Sequence, residues 1–136
     1  MALKFSTVVK NAELDAIETA IAASAVLKIR TGAPPASIAD ADSGTVLATI
    51  NLPSDWMAAA NAGSKALAGS WSDSSADATG DAGHFRIYAS DGTTQHIQGT
   101  VTAVGGGGDM TLDSASAHIE AGQTVSIGTF TLTAGN

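Results

Sequence analysis

Short runs of alternating apolar and polar residues, separated by turn residues, begin at Ala25 and continue to the end of the chain. The segment from Ala25 to Thr31 places Leu27 and Ile29 on one face, the pattern of a half-buried strand. Turn signals recur about every 8–12 residues, as in all-β domains. This spacing predicts a mainly β fold, an antiparallel β-sandwich or jelly-roll-like barrel, and disfavours alternating α/β units.

The clearest local signal is a hairpin in the second half of the chain. Asp91–Gly92 lies between the alternating segments His84–Ala89 and Thr94–Val101, and this dipeptide is a strong hairpin turn signal. An acidic, turn-rich stretch from Ser72 to Asp81 is predicted to be a loop that precedes the first of these strands. Further strands are predicted at Thr45–Leu52, Lys65–Ser72, Asp109–Leu112, Ala117–Ile119, Thr124–Ile127 and Phe130–Thr133, with Gly105–Gly108 as a flexible connector.

One short amphipathic helix is predicted near the N-terminus. Asn11 is a preferred N-cap residue, and Leu14, Ile17 and Ile21 share one face, with Glu18 roughly opposite. The sequence therefore predicts a single domain over 1–136, with an N-terminal arm or strand at 1–10, a helix at 11–22 and a β-sandwich at 25–136.

Composition disfavours several classes of partner. The chain has 13 acids against six bases and no cysteine. After Lys65 the only base is Arg86, so the C-terminal half repels a phosphate backbone, and no nucleic-acid partner is expected. No apolar stretch approaches the roughly 18 residues that span a bilayer, and no signal peptide is evident, so no membrane partner is expected.

No arrangement of side chains indicates catalysis or metal binding. His84 and His96 lie on the two arms of the predicted hairpin, but cross-strand polar pairing explains them better than a metal site. Four loop aspartates lack the alternate spacing of a calcium loop and are expected to form Asx-type turns. They are Asp73, Asp77, Asp81 and Asp91. We expect a protein without cofactor, metal or enzymatic activity.

Two sets of residues are candidates for binding. An extended N-terminal arm could add to a neighbouring sheet, and Phe5, Thr7, Val9 and Trp56 are the predicted interface residues. Trp56 and Trp71 could also form a carbohydrate platform, although core or interface anchors are the commoner role of tryptophan in such a chain.

An ordered set of segments resembles small virion structural proteins of tailed bacteriophages. The resemblance runs through most of the chain. The segments are Phe5–Ser6–Thr7 with residues 11–17, Leu27 to Pro34, Ser72 to Gly80 running into His84–Phe85–Arg86–Ile87, Ala121 to Val125, and Thr131 to Asn136.

This resemblance implies a particle component, with a capsid decoration (cement) protein as the leading expectation. Such a protein would lie on the exterior of the phage head and bind the major capsid protein and copies of itself, as a homotrimer. A head–tail connector, neck or tail component is the alternative within the virion. A carbohydrate-binding β-sandwich on the virion surface is the second alternative. The resemblance assigns no functional residue.

Overall fold

The computed structural model describes residues 2–135. Met1 and Asn136 of the predicted domain lie outside the described residues, and Asn136 is also the last residue of the resemblance. The described chain has one helix and nine strands, and the fold is mainly β, as predicted. The elements are α1 (Thr7–Ile21), β1 (Val26–Thr31), β2 (Val46–Asn51), β3 (Ser64–Ala66), β4 (Ser72–Asp73), β5 (Gly80–Tyr88), β6 (Gln95–Thr102), β7 (Met110–Leu112), β8 (His118–Ile119) and β9 (Val125–Thr133).

The strands form one curled, barrel-like sheet. Its hydrogen-bonded order is β2-β1-β5-β6-β7-β9-β3, while β4 pairs with β9 and β8 pairs with β5. The pairs are antiparallel except that β6 and β7 run parallel, which the prediction of an antiparallel fold did not include. The predicted hairpin is confirmed as β5–β6, with Gly92 at a φ of 70° in its turn. The two strands predicted at 124–133 form one continuous strand, β9.

Opposite faces of the central strands have opposite chemistry. Leu27 pairs with Ile87 and Ile29 with Phe85, so the side chains on this face form the hydrophobic core. The core contains a row of aromatic rings with centroids 5.5 to 6.0 Å apart. The row is Trp56, Trp71, Phe130 and Phe85. On the other face Lys28 pairs with Arg86 and Arg30 with His84.

A loop of residues 32–45, here called the strap, covers this polar face. Its ends are held together, because Thr31 N–H donates to the Thr45 carbonyl and Thr45 N–H donates to the Thr31 hydroxyl. Gly83 allows the close approach of the strap to β5, since a Cβ there would lie 2.2 Å from the Gly32 carbonyl oxygen. The sheet is therefore covered on both faces at β1 and β5.

Both ends of the strand order are also covered. Beyond β2, the N–H groups of Asp77 and Ala78 donate to the Leu47 carbonyl. Beyond β3, Ala58 N–H donates to the Ala66 carbonyl and Ala68 N–H donates to that of Trp56. These contacts protect the outer strands from pairing with other chains.

The N-terminal prediction needs a correction. The helix begins at Thr7 and not at Asn11, because the Ser6 hydroxyl accepts from Val9 N–H and caps it. Asn11 instead accepts the N–H of Gly63 through its side chain, at 2.9 Å. The arm is thus limited to residues 2–6, which have no regular secondary structure. Leu14 and Ile21 are buried as predicted.

The predicted strand Lys65–Ser72 is also wrong over most of its length. Regular pairing with β9 ends at Ala66. Leu67 adds one hydrogen bond from its N–H to the Phe130 carbonyl, and an isolated bridge to Met57. The chain then turns at Gly69, whose φ is 70°, and this turn carries Trp71 into the core.

Candidate functional site

The N-terminal segment, residues 2–9, carries most of the exposed apolar surface. Large apolar side chains that are exposed occur at five described positions, and four of them lie in this segment. They are Leu3 (68%), Phe5 (38%), Val8 (78%) and Val9 (42%); the fifth is Val104 (59%). Because scattered single residues are the norm, a concentration of this kind marks an interaction surface.

Charge separates this segment from the rest of the molecule. All 13 acids follow residue 10, and only four of the six bases do. Three of those four, Arg30, Lys65 and Arg86, are buried. The fourth, Lys28, donates to the Gly92 carbonyl and lies 4.9 Å from the Tyr88 ring centroid. Within residues 2–135, Lys4 is the one base classed as exposed, so this segment combines apolar side chains with a positive charge on an otherwise acidic molecule.

The four predicted interface residues are not brought together. Phe5 lies in the arm, and Thr7 and Val9 lie in the first turn of α1, all exposed. Trp56 is wrong as an interface residue, because its side chain is fully buried in the core and its indole N–H donates to the Ala22 carbonyl. Leu3 and Val8 extend the surface and were not predicted. The sequence signal for them is the concentration of apolar residues in positions 3–9, ahead of the predicted helix start at Asn11.

The carbohydrate platform is ruled out by the same burial. Trp71 is 2% exposed, and its indole N–H donates to the carbonyls of Trp56 and Ala68. A sugar stacks on an open aromatic face, and neither ring has one.

The strongest polar cluster lies beneath the strap and is centred on Asp42. One carboxylate oxygen accepts from Arg86 at 2.9 Å and from the Tyr88 hydroxyl at 2.8 Å. The other accepts from Arg30 at 2.8 Å. Burial alone would raise the pKa of Asp42, but the Tyr88 hydrogen bond and the two guanidinium groups outweigh it and lower the pKa. Burial raises the pKa of Tyr88, and its hydrogen bond to Asp42 adds to that rise.

Arg86 uses its remaining donors to hold the strap and β6. It donates to the Gln98 side chain and to the carbonyls of Ser37 and Asp40, and the Gln98 amide donates to Pro35. Its side chain is fully buried and bonds only within the fold, so its role is structural, whereas the side chain of Asp42 is 33% exposed.

The predicted proximity of His84 and His96 is wrong. His84 pairs across the hairpin with Thr100 because the register places Ile97 opposite Ile87. His84 is fully buried, and its Nδ1 lies 2.9 Å from the Gly32 carbonyl oxygen, so Nδ1 carries the proton. His96 is exposed. Across residues 2–135 no group of three or more His, Cys, Asp or Glu side chains is placed to hold a metal ion.

The acidic loops are held by their own hydrogen bonds. Asp91 accepts from the N–H groups of Thr93 and Thr94 and from the Thr94 hydroxyl, which lowers its pKa. Asp73 accepts from Ser75 N–H, the Asx-type turn that was predicted. Asp81 lies 2.7 Å from Nδ1 of His118 and, as the main cause, raises the pKa of that histidine.

A buried lysine joins α1 to the sheet. Lys65 on β3 is 2% exposed and contacts Asp15 at 2.7 Å and Glu18 at 2.8 Å. Glu18 was predicted to lie opposite the apolar face, but it points toward the body, where it also accepts from Met57 N–H. These groups line a pocket of about 440 Å³ between α1 and residues 54–65. Burial alone would lower the pKa of Lys65, but hydrogen bonds to the two carboxylates outweigh it and raise the pKa.

Comparison with known proteins finds no protein family, curated protein or solved structure that matches this chain. Within residues 2–135 there is no helix with the length and apolar character needed to cross a bilayer. The N-terminal segment, with its apolar side chains and Lys4, is therefore the candidate functional site.

Proposed function

We propose that this chain is a non-enzymatic structural protein of a tailed-phage virion, a capsid decoration protein that docks through its N-terminal segment. It would lie on the exterior of the head and contact the major capsid protein and other copies of itself. The observation that carries the proposal is the concentration of exposed apolar side chains in residues 3–9 of an otherwise covered domain. The resemblance of the sequence to virion proteins supplies the biological setting.

The physical demands of this role match the molecule. A decoration protein must be a stable domain with one surface that binds the shell, and it must stay soluble before it binds. The sheet has both faces covered at its centre and both outer strands protected, which gives the stable body. The acidic surface limits non-specific aggregation by like-charge repulsion. The apolar N-terminal segment supplies the attractive contact.

Binding to assembled shells tests the proposal directly. The full chain is mixed with heads of the phage that encodes it, before and after expansion, and sedimented. We expect binding to intact heads, and at least about a tenfold loss of affinity for Phe5→Asp, since burying an unpaired carboxylate costs several kcal/mol.

The matched control is Val104→Asp, the same kind of change at an exposed apolar residue outside the segment. We expect this variant to bind as the unmodified chain does. Binding to a portal or tail tube, but not to heads, would contradict the decoration role and favour a connector or tail component. Equal losses in both variants would contradict docking through the N-terminal segment.

A further inference from the structure

The sheet contains one empty strand position, between β6 and β9. Both strands pair with β7, so two strand spacings, about 9.6 Å, separate them at that level. However, β7 is only three residues long, from Met110 to Leu112. Ahead of Met110 the two flanking strands continue without a strand between them. A groove of about 460 Å³ fills this space, here called the lane.

Within residues 2–135, both walls of the lane are strand edges without a partner strand. On β6, Thr100 N–H points away from β5 and donates to the Asp109 carboxylate. Because strand amides alternate in direction, the backbone N–H of Gln98 points the same way. On β9, Phe130 accepts from Leu67 on the β3 side, so Thr131 and Thr133 direct their backbone groups toward the lane. Within residues 2–135 no strand pairs with these edges.

The floor of the lane is apolar and one end is acidic. Phe85, Ile97, Phe130 and Leu132 line it, and Asp109 lies where β7 begins. Gly99 makes room for these neighbours, because a Cβ there would lie 2.8 Å from the Phe85 ring and 2.9 Å from an Asp109 carboxylate oxygen. The site therefore suits an extended peptide with apolar side chains on one face and a positive charge.

The arm of this chain has those properties. Residues 2–6 are exposed and outside the helix, and the period of two places Leu3 and Phe5 on one face with Lys4 on the other. Five extended residues reach about 17 Å, while the lane from Ile97 to Thr100 is about 13 Å long. Lys4 is the exposed base, and Asp109 is an acid at the lane.

The arm of the same copy is too short to fill its own lane. It leaves α1, whose Asn11 is bonded to Gly63 beside β3. In the strand order, β3 lies beyond β9 from the lane. Crossing these two strands takes about 10 Å, or three of the five arm residues. Phe5 would then not reach the lane floor.

We propose that the arm of one copy inserts as an additional strand into the lane of a second copy. Leu3 and Phe5 would lie on the apolar floor, the backbone would pair with β6 and β9, and Lys4 would approach Asp109. This proposal rests on the proposed function and names the second copy as one partner of its N-terminal segment. Since arm and lane are different surfaces, the contact is heterologous, the type that builds a ring where its rotation closes.

Disulfide trapping tests the contact, because the chain has no cysteine of its own. F5C and L132C chains are mixed under mild oxidation and separated on a non-reducing gel. We expect a covalent dimer containing one of each chain. The matched control pairs V104C with L132C and should yield at least tenfold less dimer. I97C, on the opposite wall, replaces L132C if that variant fails to fold.

Equal trapping of the F5C and V104C chains, or none, would overturn the arm exchange. An internal disulfide in a monomeric F5C/L132C chain would overturn it too, because the arm would then occupy its own lane. Head binding distinguishes this failure from that of the proposed function. If heads still bind and Phe5→Asp abolishes that binding while trapping fails, the arm binds the shell and the exchange is wrong. If neither head binding nor trapping occurs, both proposals fail.

Discussion

At the scale of single residues, Asp42 is the centre of the polar cluster beneath the strap. It is the acid that neutralises two buried arginines, Arg30 and Arg86, and it also accepts the Tyr88 hydroxyl. A buried charge that loses its partner is expensive, whereas an exposed ion pair contributes little. The importance of Asp42 therefore comes from the burial of its partners, not from its own position.

We predict that Asp42→Asn lowers the free energy of unfolding by about 3 kcal/mol, because Arg86 stays buried without a counter-charge. The control is Asp40→Asn. Asp40 lies in the same strap, is exposed, and its side chain accepts a hydrogen bond from Ser37 N–H. Its loss should stay below about 1 kcal/mol. Urea denaturation of the three proteins at pH 7 measures both values, and equal losses would contradict the prediction.

The same residue predicts a pH dependence. The folded pKa of Asp42 is lowered below the value of about 3.9 for an unfolded aspartate. The stabilisation is therefore complete above that value and is lost as the pH falls through the lower, folded pKa. The stability difference between the unmodified protein and Asp42→Asn should shrink under acid conditions. A difference that stays constant down to pH 2 would contradict this assignment.

At the scale of elements, α1 is held to the sheet by few contacts. Leu14 and Ile21 are its buried apolar residues, and polar groups of Asn11, Asp15 and Glu18 bond to residues 57–65. Lys65 joins two of these groups at once. Since α1 carries the arm, this attachment sets the point from which the arm leaves the body.

We predict that Lys65→Met destabilises the protein by about 2–3 kcal/mol, because two neighbouring carboxylates and the Ala58 carbonyl lose their cation. The effect should be local, so amide hydrogen exchange should accelerate in α1 more than in β5. Lys10→Met is the control, because the Lys10 ammonium makes no ion pair within residues 2–135. Unchanged exchange in α1 would show that the apolar contacts alone hold the helix.

At the scale of the whole molecule, charge and exposed apolar side chains are distributed unevenly between the N-terminal segment and the rest of the chain. The N-terminal segment is apolar and carries the exposed base Lys4. The four bases after residue 10 are either buried or, for Lys28, bonded to a backbone carbonyl. The open lane lies in the acidic remainder of the chain. Under the proposed arm exchange, copies would associate head to tail, and a closed ring would limit the size of the assembly.

Light scattering behind size exclusion measures that assembly. We predict a mass near three times the 13.4 kDa of the chain, and a monomer for Phe5→Asp. Val104→Asp should keep the mass of the unmodified protein. High salt should weaken the assembly, because it screens the exposed Lys4 from the acidic body. A monomer at every concentration would contradict self-association in solution.

The sequence by itself determined the features that depend on neighbouring residues. The strands β1 and β2, the Asp91–Gly92 turn and the buried face of α1 were all predicted, because strand pattern, turn geometry and helix period are local properties. The position of the helix start was not. Ser6 and Asn11 are both good cap residues, and only the contact with Gly63 assigns Asn11 another role.

Only the tertiary structure decided which residues are covered. Arg86 and Trp56 became buried through contacts with the strap and with α1, and His84 and His96 were separated by the register of one hairpin. The empty lane likewise depends on a three-residue strand between two longer ones, which pair across large separations in the chain. Contacts of this kind follow from how the whole chain packs, so no local pattern in the sequence specifies them.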